Sequence, residues 1–235
     1  MHVEKRDLIL TKFIEINNLN SKDAWSFENG FFWFTHKSRL NKTLAHYEIY
    51  KLISHLPGDI FEFGVYKGAS LIRFATFRDT LENNYSRKIF GFDVFGEFPK
   101  INISMKEDLE FINKFENQGG DGLTVDQVHD LIKFKGFENI ELIKGNVFDT
   151  LIPFLNENPE VRISLLHLDM DVKEPTDYVL DLLYEKLVPG GLIVFDDYGT
   201  VAGETMAVDN FVKNYNLKLE KLPFYKIPSF LKKPL

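Results

Sequence analysis

The sequence contains no cysteine in its 235 residues, and that absence excludes several kinds of site together. Disulfide bridges, thiolate zinc sites, iron–sulfur clusters and cysteine nucleophiles all need the missing thiol. Long apolar runs are absent as well, because stretches such as residues 163–168 and 192–195 are far shorter than the roughly 20 residues that cross a bilayer. We therefore expect no membrane span and no signal peptide, and a cytoplasmic location is compatible with the lack of cysteine.

Basic residues are outnumbered, since 28 Lys and Arg stand against 35 Asp and Glu, for a formal net charge of -7. Proteins that bind the phosphate backbone of nucleic acids usually carry the opposite balance, so we expect no nucleic-acid partner. The charge is uneven, because residues 213–235 contain six lysines and a single glutamate. We interpret this basic tail as a solvated surface, with an anion-binding role as the less favoured alternative.

Short apolar runs alternate with amphipathic stretches along the chain, and this alternation predicts an α/β fold. Thr124, with Gln127 three residues later, predicts a capping box at the start of one helix. Near-continuous apolar strands are typical of a sheet covered on both faces. We therefore expect a doubly wound, mostly parallel, Rossmann-like sheet with a C-terminal antiparallel hairpin. The predicted strands are 59–63, 88–92, 139–143, 162–168 and 191–195, followed by the hairpin at 217–222 and 224–230.

Two stretches interrupt this alternation. Residues 1–56 are expected to form an N-terminal helical lid with a cluster of aromatic residues, and residues 57–235 to form the main domain, with an insertion at about 97–123. The aromatic cluster is expected to pack in the core or in a dimer interface, and a substrate platform is the less favoured alternative. If exposed, it would suit a homo-oligomer. Its members are Phe31, Phe32, Trp33 and Phe34.

The loop after the first strand is a candidate binding loop, because ligands of open parallel sheets bind beyond the carboxyl ends of the strands. Two glycines, Gly64 and Gly68, let the backbone turn tightly and approach a ligand there. Their spacing is not the G-x-G-x-x-G fingerprint of dinucleotide sites, and such glycines also occur where only turn geometry requires them. The candidate residues of this loop are Glu62, Gly64, Val65, Tyr66, Gly68 and Ser70.

The ends of the second and third strands also carry candidate binding residues. Asp93 ends the second strand, and a carboxylate in that position can accept both hydroxyl protons of a ribose. It can equally cap a helix or stabilise a loop, and both interpretations stay open. After the third strand, Gly145 and Asn146 offer a small residue and an amide where an adenine edge could lie.

Four carboxylates follow the fourth and fifth strands: Asp169 and Asp171 after one, Asp196 and Asp197 after the other. If the two strands are neighbours, these carboxylates converge at one edge of the sheet. Like charges so close do not all stay ionised in a partly buried site, so either some pKa values rise or a divalent cation lies among them. Oxygen ligands favour Mg²⁺, Ca²⁺ or Mn²⁺ over zinc. The less favoured alternative is that the acids merely face water.

The segment around Asp169 and Asp171 superficially resembles the DxD loop of haloacid-dehalogenase-type phosphatases, in which the first aspartate is a nucleophile. Those enzymes need a Ser/Thr and a Lys station before a later acidic pair, and the stretch before Asp196 is too short for both. His167, beside this loop, is expected to be a core strand residue, because no second histidine stands at metal-ligand spacing.

Over residues 57–212, about two thirds of the chain, the sequence resembles the macrocin O-methyltransferase family, which are class I S-adenosylmethionine-dependent sugar O-methyltransferases. The resemblance rests on segments 57–68, 91–95, 168–171, 189–191, 196–199 and 207–211. One departure follows the acidic segment. The family commonly has an aromatic residue and then Glu-Ser-Thr, whereas this chain has Val172-Lys173-Glu174-Pro175-Thr176, in which Lys173 either replaces the aromatic contact or is exposed.

The resemblance implies a class I methyltransferase sheet and a role for each matching residue. Asp169, Asp196 and Asp197 would hold Mg²⁺, and Asp171 would be the general base for the sugar hydroxyl. Asp93 would bind the ribose of S-adenosylmethionine. The remaining contacts expected to that cofactor are Glu62, Gly64, Val65, Tyr66, Gly68, Ser70, Gly145, Asn146 and Asp169.

From these observations we expect a Mg²⁺-dependent O-methyltransferase that uses S-adenosyl-L-methionine and acts on a hydroxyl of a small sugar-containing acceptor. The acceptor would be a nucleotide sugar, a glycoside or a polysaccharide or natural-product precursor. Two alternatives stay open, a Mg²⁺-dependent phosphohydrolase with Asp169 as the nucleophile and a non-catalytic domain that binds a nucleotide or cofactor.

Overall fold

The computed structural model describes residues 24–235, so the part of the predicted lid before residue 24 lies outside the described residues. The helices are α1 Ala24–Phe34, α2 Lys37–Ile53, α3 Ala69–Leu81, α4 Lys106–Gly119, α5 Val125–Lys135, α6 Val147–Glu157, α7 Lys173–Leu183 and α8 Ala202–Tyr215. The strands are β1 Asp59–Phe63, β2 Ile89–Asp93, β3 Ile140–Lys144, β4 Ile163–Leu168, β5 Leu187–Phe195, β6 Leu219–Lys221 and β7 Ser229–Lys232. Among these helices, none combines the length and apolar character needed to cross a membrane.

The strands form one seven-stranded sheet in the order β3-β2-β1-β4-β5-β7-β6. Strands β1 to β5 run parallel, and β7 runs antiparallel to both β5 and β6. The predicted α/β sheet with a C-terminal antiparallel hairpin is therefore confirmed. The strand order reverses between β1 and β4, and ligands of doubly wound sheets bind beyond the carboxyl ends of the strands at such a switch point.

Helices cover both faces of the sheet because the strands are apolar on both. Along β1, Ile60 packs into one apolar cluster, whereas Phe61 and Phe63 pack into the other. The Phe63 ring stacks on Phe92 of β2, with centroids 4.5 Å apart and 12° between the ring planes. In the ladders, Phe63 pairs with both Phe92 and Leu168. This register fixes the relative positions of the residues that follow β1, β2 and β4.

Helix α2 belongs to the same core as the sheet. It buries Ile49, Tyr50 and Ile53 in the apolar cluster that also contains Ile60. The buried guanidinium of Arg87 donates to the carbonyl oxygen of Ile53 at 3.2 Å, which ties the end of α2 to the amino end of β2. The helical character predicted for this region is confirmed, and the boundary between lid and main domain after residue 56 stays a prediction.

Helix α1 carries the aromatic cluster on its surface. The exposed fractions are 70% for Phe32, 60% for Trp33 and 85% for Phe34, and Phe31 is also exposed. The sequence favoured packing in the core or in a dimer interface, and of these two the core of the single chain is wrong. A dimer interface and a substrate platform both stay predictions.

The insertion after β2 forms α4 and covers the carboxyl edge of the sheet. At its C-terminal end, the hydroxyl of Tyr66 donates to the carbonyl oxygen of Gly119 at 2.6 Å. Near its N-terminal end, the fully buried carboxylate of Asp108 accepts the backbone N–H of Lys173 at 2.9 Å and that of Gly203. One carboxylate of the insertion therefore satisfies free N–H groups at the starts of both α7 and α8.

Two strand boundaries differ from the predicted ones by more than two residues. β5 begins at Leu187 instead of residue 191, and its register against β4 shifts near its start, so Pro189 lies at an irregularity where a missing N–H is tolerated. The last strand, β7, begins five residues later than predicted, at Ser229, because it pairs along the end of β5. This pairing buries Phe230 and Leu231.

Gly64, directly after β1, lies where the chain passes closest to the end of β4. Its φ is +91°, a conformation that residues with a side chain rarely adopt. A Cβ atom at this position would lie 1.9 Å from the carbonyl oxygen of Asp169. Glycine is therefore required by close approach as well as by backbone conformation.

We expect Gly64→Ala to lower the free energy of unfolding by about 3 kcal/mol or more, because steric overlap and backbone strain add. Urea unfolding measures this change. Gly96→Ala is the matched control, because the nearest atom to a Cβ there would be the Val94 carbonyl oxygen at 4.0 Å. Equal unfolding midpoints for the two variants would contradict the close approach at Gly64.

Candidate active site

A cleft opens beyond the carboxyl ends of β1 to β4, beneath the insertion. It contains about 980 Å³ of empty space, part of it open to solvent. The predicted site residues in its lining are Gly64, Tyr66, Asp93, Gly145, Asn146, Asp169 and Asp171. Four predicted cofactor contacts, Glu62, Val65, Gly68 and Ser70, lie outside the lining.

The carboxylate of Asp93 holds the loop after β1 in place. Its Oδ2 atom accepts the backbone N–H groups of Val65 at 2.7 Å and Tyr66 at 2.9 Å, and its Oδ1 atom accepts that of Phe95 at 2.6 Å. The loop-stabilising role left open by the sequence is therefore present. A carboxylate offers about four acceptor positions, so these bonds leave one for a ribose hydroxyl, and that role stays a prediction.

Gly145 and Asn146 form the turn between β3 and α6 on the floor of the cleft. The backbone N–H of Gly145 donates to the carbonyl oxygen of Asp93 at 2.9 Å, which joins this turn to the end of β2. Asn146 caps α6, since its side-chain oxygen accepts the N–H of Phe148 at 3.1 Å. The predicted adenine position is therefore polar and rigid.

Glu62 and Ser70 face away from the cleft. Side chains alternate along a strand, so Glu62 points to the sheet face opposite Phe63, where the hydroxyl of Ser70 donates to its Oε1 atom. Both residues are buried, and the Oε2 atom of Glu62 has no hydrogen-bond partner. Burial raises the pKa of the Glu62 carboxyl to about 7.

Three of the four predicted carboxylates meet at one point. Asp169, Asp171 and Asp197 each offer an oxygen within 4.8 Å of the other two. Burial raises the pKa of Asp169 and Asp171 well above their usual range, with the charges of Asp196 and Asp197, respectively, as the next cause, and burial also raises the pKa of Asp197. The predicted convergence is therefore confirmed for these three carboxylates, with pKa values raised as expected of crowded acids, and it does not hold in this form for Asp196.

A fifth carboxylate, which the sequence analysis missed, belongs to this acidic edge. Glu204, in the first turn of α8, accepts the backbone N–H of Asp197 at 2.9 Å through Oε1. Its Oε2 atom is buried without a hydrogen-bond partner, and burial with the nearby Asp197 charge raises the pKa of its carboxyl well above the usual range. The sequence could have indicated this contact, because Glu204 lies only seven residues after Asp197, at the start of the next helix.

Asp196, between Phe195 and Asp197, lies close enough to Asp169 for its charge to raise the pKa of that carboxyl, and it also contacts three basic side chains. Its Oδ2 atom bonds Lys42, and its Oδ1 atom lies 3.4 Å from His167 Nε2 and 3.6 Å from His46 Nε2. Although burial opposes ionisation, the hydrogen bond to His167, the nearby His46 ring and the charge of Lys42 hold the pKa of Asp196 well below its usual range. His167 is fully buried in β4, as expected of a core strand residue.

The position where the family commonly has an aromatic residue is filled differently here. Val172 and Pro175 contribute to the cleft lining. The ammonium of Lys173 pairs instead with Asp177, one turn along α7, at 2.5 Å. Lys173 is half-buried, and both interpretations of it stay predictions.

The acidic edge suits a hard divalent cation. Its donors are carboxylate oxygens alone, which are the ligands that Mg²⁺ prefers. The buried, unpartnered oxygen of Glu204 and the raised pKa values of Asp169 and Asp171 show that the described groups do not neutralise one another. A cation among them would lower this repulsion.

A seven-stranded sheet of this order, with its glycine-lined cleft at the switch point, is the fold of class I methyltransferases. The model of the Macrocin-O-methyltransferase (TylF) family matches residues 33–227. The chain therefore belongs to this family.

Known relatives are similar in sequence and in structure. The crystal structure of CalS11, calicheamicin methyltransferase, is 26% identical with a TM-score of 0.69, and the match covers 98% of this chain and 91% of that one. The structure of the O-methyltransferase NovP has a TM-score of 0.68 over 81% of this chain and 79% of its own, and its 20% identity supports the fold alone.

A curated relative from Streptomyces olivaceus, 8-demethyl-8-(2,3-dimethoxy-alpha-L-rhamnosyl)-tetracenomycin-C 4'-O-methyltransferase, is 27% identical over 149 residues. The match covers 63% of this chain and 55% of that protein, so it spans about half of the relative's length. Family membership confirms the family and the enzyme class expected from the sequence, an S-adenosylmethionine-dependent O-methyltransferase. The phosphohydrolase and non-catalytic alternatives lose their support.

Glu62 makes stability depend on pH. Its pKa is raised from 4.5 to about 7 in the folded protein, so the folded state binds the Glu62 proton more tightly than the unfolded chain does. The contribution of this group to the free energy of unfolding is therefore complete below pH 4.5 and is lost as the pH rises through 7. Glu62→Gln keeps an acceptor for Ser70 and removes the titration. We expect this variant to exceed the wild type in stability by up to about 3 kcal/mol at pH 8, with the difference shrinking toward pH 4.5.

Urea unfolding between pH 5 and 8 checks this expectation. Glu157→Gln, at an exposed position, is the control and should track the wild type across the range. A difference between Glu62→Gln and the wild type that does not change with pH would contradict the raised pKa.

Proposed function

We propose that the protein is a Mg²⁺-dependent O-methyltransferase that transfers the methyl group of S-adenosylmethionine to a hydroxyl of a small sugar-containing acceptor. The observation that carries the proposal is the meeting of Asp169, Asp171 and Asp197 at the edge of the cleft beyond the strand ends. A sugar acceptor is supported by the relatives. CalS11 is described as a TDP-rhamnose 3'-O-methyltransferase, and the Streptomyces olivaceus relative is named for a rhamnosyl compound.

S-adenosylmethionine would be held by the residues that line the cleft at the strand ends. The candidates are Gly64, Tyr66, Asp93, Gly145, Asn146 and Asp169. Gly64 lets the backbone lie next to the end of β4, and Asp93 fixes the N–H groups of the same loop, so this wall of the cleft is already organised. When bound, S-adenosylmethionine supplies an electrophilic methyl group. Glu62 and Ser70 would act from behind the loop, by supporting the start of α3.

The metal ligands we propose are Asp169, Asp196 and Asp197. Asp169 and Asp197 already lie together, and Asp196, the residue after β5, is near enough for its charge to raise the pKa of both carboxyls. When bound, Mg²⁺ stabilises negative charge that develops on the acceptor oxygen. Glu204 would support the site by holding the backbone of Asp197.

Asp171 would act as the general base, because a sugar hydroxyl is almost wholly protonated at neutral pH and is a poor nucleophile. Asp171 lines the cleft in a left-handed conformation with φ of +66°, inside a turn closed by the Val172 N–H and the Met170 carbonyl oxygen at 2.7 Å. Its carbonyl oxygen accepts the N–H of Glu204 at 3.2 Å. Such strained backbone is common where function fixes a side chain, and here it holds a proton acceptor at the cleft.

We expect Asp171→Asn to lower turnover by about 10² to 10⁴, because the amide cannot accept the hydroxyl proton. Binding of S-adenosylhomocysteine should change little. Methyl transfer to a panel of rhamnose-containing acceptors with Mg²⁺, together with calorimetry, measures both quantities. Asp181→Asn, at an exposed position of α7, is the control. Near-normal turnover of Asp171→Asn would remove the general-base assignment.

We expect calorimetric titration to detect S-adenosylhomocysteine binding to the wild type and its loss in Asp93→Ala. The variant removes the proposed acceptor for the ribose hydroxyl. It also removes the hydrogen bonds to the N–H groups of Val65 and Tyr66, which hold the loop after β1 in place. Asp130→Ala, at an exposed position of α5, should bind as the wild type does. Absence of binding by the wild type, with or without Mg²⁺, would contradict the cofactor assignment.

A further inference from the structure

Lys42 brings a positive charge from α2 to the acidic edge. Its ammonium bonds the Oδ2 atom of Asp196, and its side chain is 23% exposed, whereas that of Asp196 is 2% exposed. A lysine ammonium is ordinarily charged at neutral pH, so Lys42 places a positive charge in contact with a proposed metal ligand.

Both oxygens of Asp196 are engaged in this arrangement. The Oδ1 atom faces His167 and His46, which are fully buried. The His46 ring is fixed further by stacking on Phe74, with centroids 5.0 Å apart and 8° between the planes. Burial lowers the pKa of His46 to about 3, so it is a neutral neighbour.

The mobility of the groups around Asp196 differs. The two histidine rings cannot move without disturbing the core, since both have zero exposed fraction. Lys42 has a flexible four-carbon stem and access to solvent, so its ammonium can be rehydrated when it leaves. Of the contacts that Asp196 makes, the one to Lys42 therefore costs the least free energy to break when a metal ion binds.

We propose that Lys42 is a resident counter-cation of the metal site, bound to Asp196 when no divalent cation is present and displaced from it when one binds. The inference rests on the proposed metal-dependent function. An ammonium and a divalent cation on the same carboxylate repel each other, so Lys42 lowers the affinity of the site for metal. Because Lys42 lies in α2, loading of the metal also removes the polar contact that holds this part of the helix to β5.

Lys42→Met tests the proposal, since it removes the charge and keeps a flexible apolar stem. We expect the variant to bind Mn²⁺ about tenfold more tightly than the wild type, because no ammonium has to be displaced. Mn²⁺ is the probe because it accepts the same oxygen ligands as Mg²⁺, and electron paramagnetic resonance measures the free ion. Lys51→Met is the matched control on the same helix, where Lys51 pairs with Glu48 in solvent, and its Mn²⁺ affinity should equal that of the wild type.

A second measurement uses the wild type and does not depend on the folding of a variant. Acetylation of lysine amines, followed by mass spectrometry of the peptides, reports how accessible each ammonium is. We expect Lys42 to react slowly without metal and at least about threefold faster with saturating Mn²⁺, once its ion pair to Asp196 is broken. The rate at Lys51, in the same helix, serves as the internal reference and should not change.

The outcomes separate the two proposals. Tighter Mn²⁺ binding by Lys42→Met, or faster labelling of Lys42 with metal, supports displacement. Mn²⁺ binding of equal affinity in the variant and the wild type, with unchanged labelling of Lys42, would overturn the role of Lys42 and leave the metal site intact. If neither the wild type nor Lys42→Met binds Mn²⁺, both the metal site and the role of Lys42 are overturned.

Discussion

Electrostatic repulsion among buried carboxylates is the constraint that organises this end of the molecule. Asp169, Asp171 and Asp197 lie within 4.8 Å of one another, and burial weakens the screening that water would provide. Two features of the surrounding structure reduce this repulsion. Protons are held more tightly on the crowded carboxyls, and basic groups from α2 and β4 keep Asp196 ionised. The divalent cation proposed above would lower the same repulsion and would stabilise negative charge that develops on the acceptor oxygen.

The sheet was readable from the sequence because its signals are local. Apolar runs bounded by glycine, proline or charge mark β1 to β4 to within a residue or two, and the capping box at Thr124 is formed as expected, with Gln127 donating its backbone N–H to the Thr124 hydroxyl at 3.3 Å. The acidic edge was also predictable. Asp169 and Asp197 each follow a strand closely, and neighbouring parallel strands bring such residues together.

The remainder depends on contacts that no local pattern records. Lys42 and His46 reach Asp196 from a helix 150 or more residues earlier in the chain, so only the packing of α2 reveals them. Glu62 is a different case. The sequence analysis grouped it with the loop after β1 because it directly precedes that loop. Side chains alternate along a strand, however, so the Glu62 side chain lies on the sheet face opposite Phe63. This alternation was visible in the sequence and distinguishes Glu62 from the loop residues that line the cleft.

The contacts of Asp108 with the starts of both α7 and α8 limit how the sequence of the cleft wall can change. Residues 106–119 form one wall of the cleft, yet the first turn of this helix also caps α7 and α8, whose starts flank Asp171 and Asp197. The fit is tight, since a Cβ at Gly203 would lie 1.9 Å from the Asp108 carboxylate. A graft that replaces the wall from a related enzyme must therefore keep an aspartate at 108 and a glycine at 203 as a pair. The exposed positions of α4, such as Asn113 and Lys114, carry no such restriction.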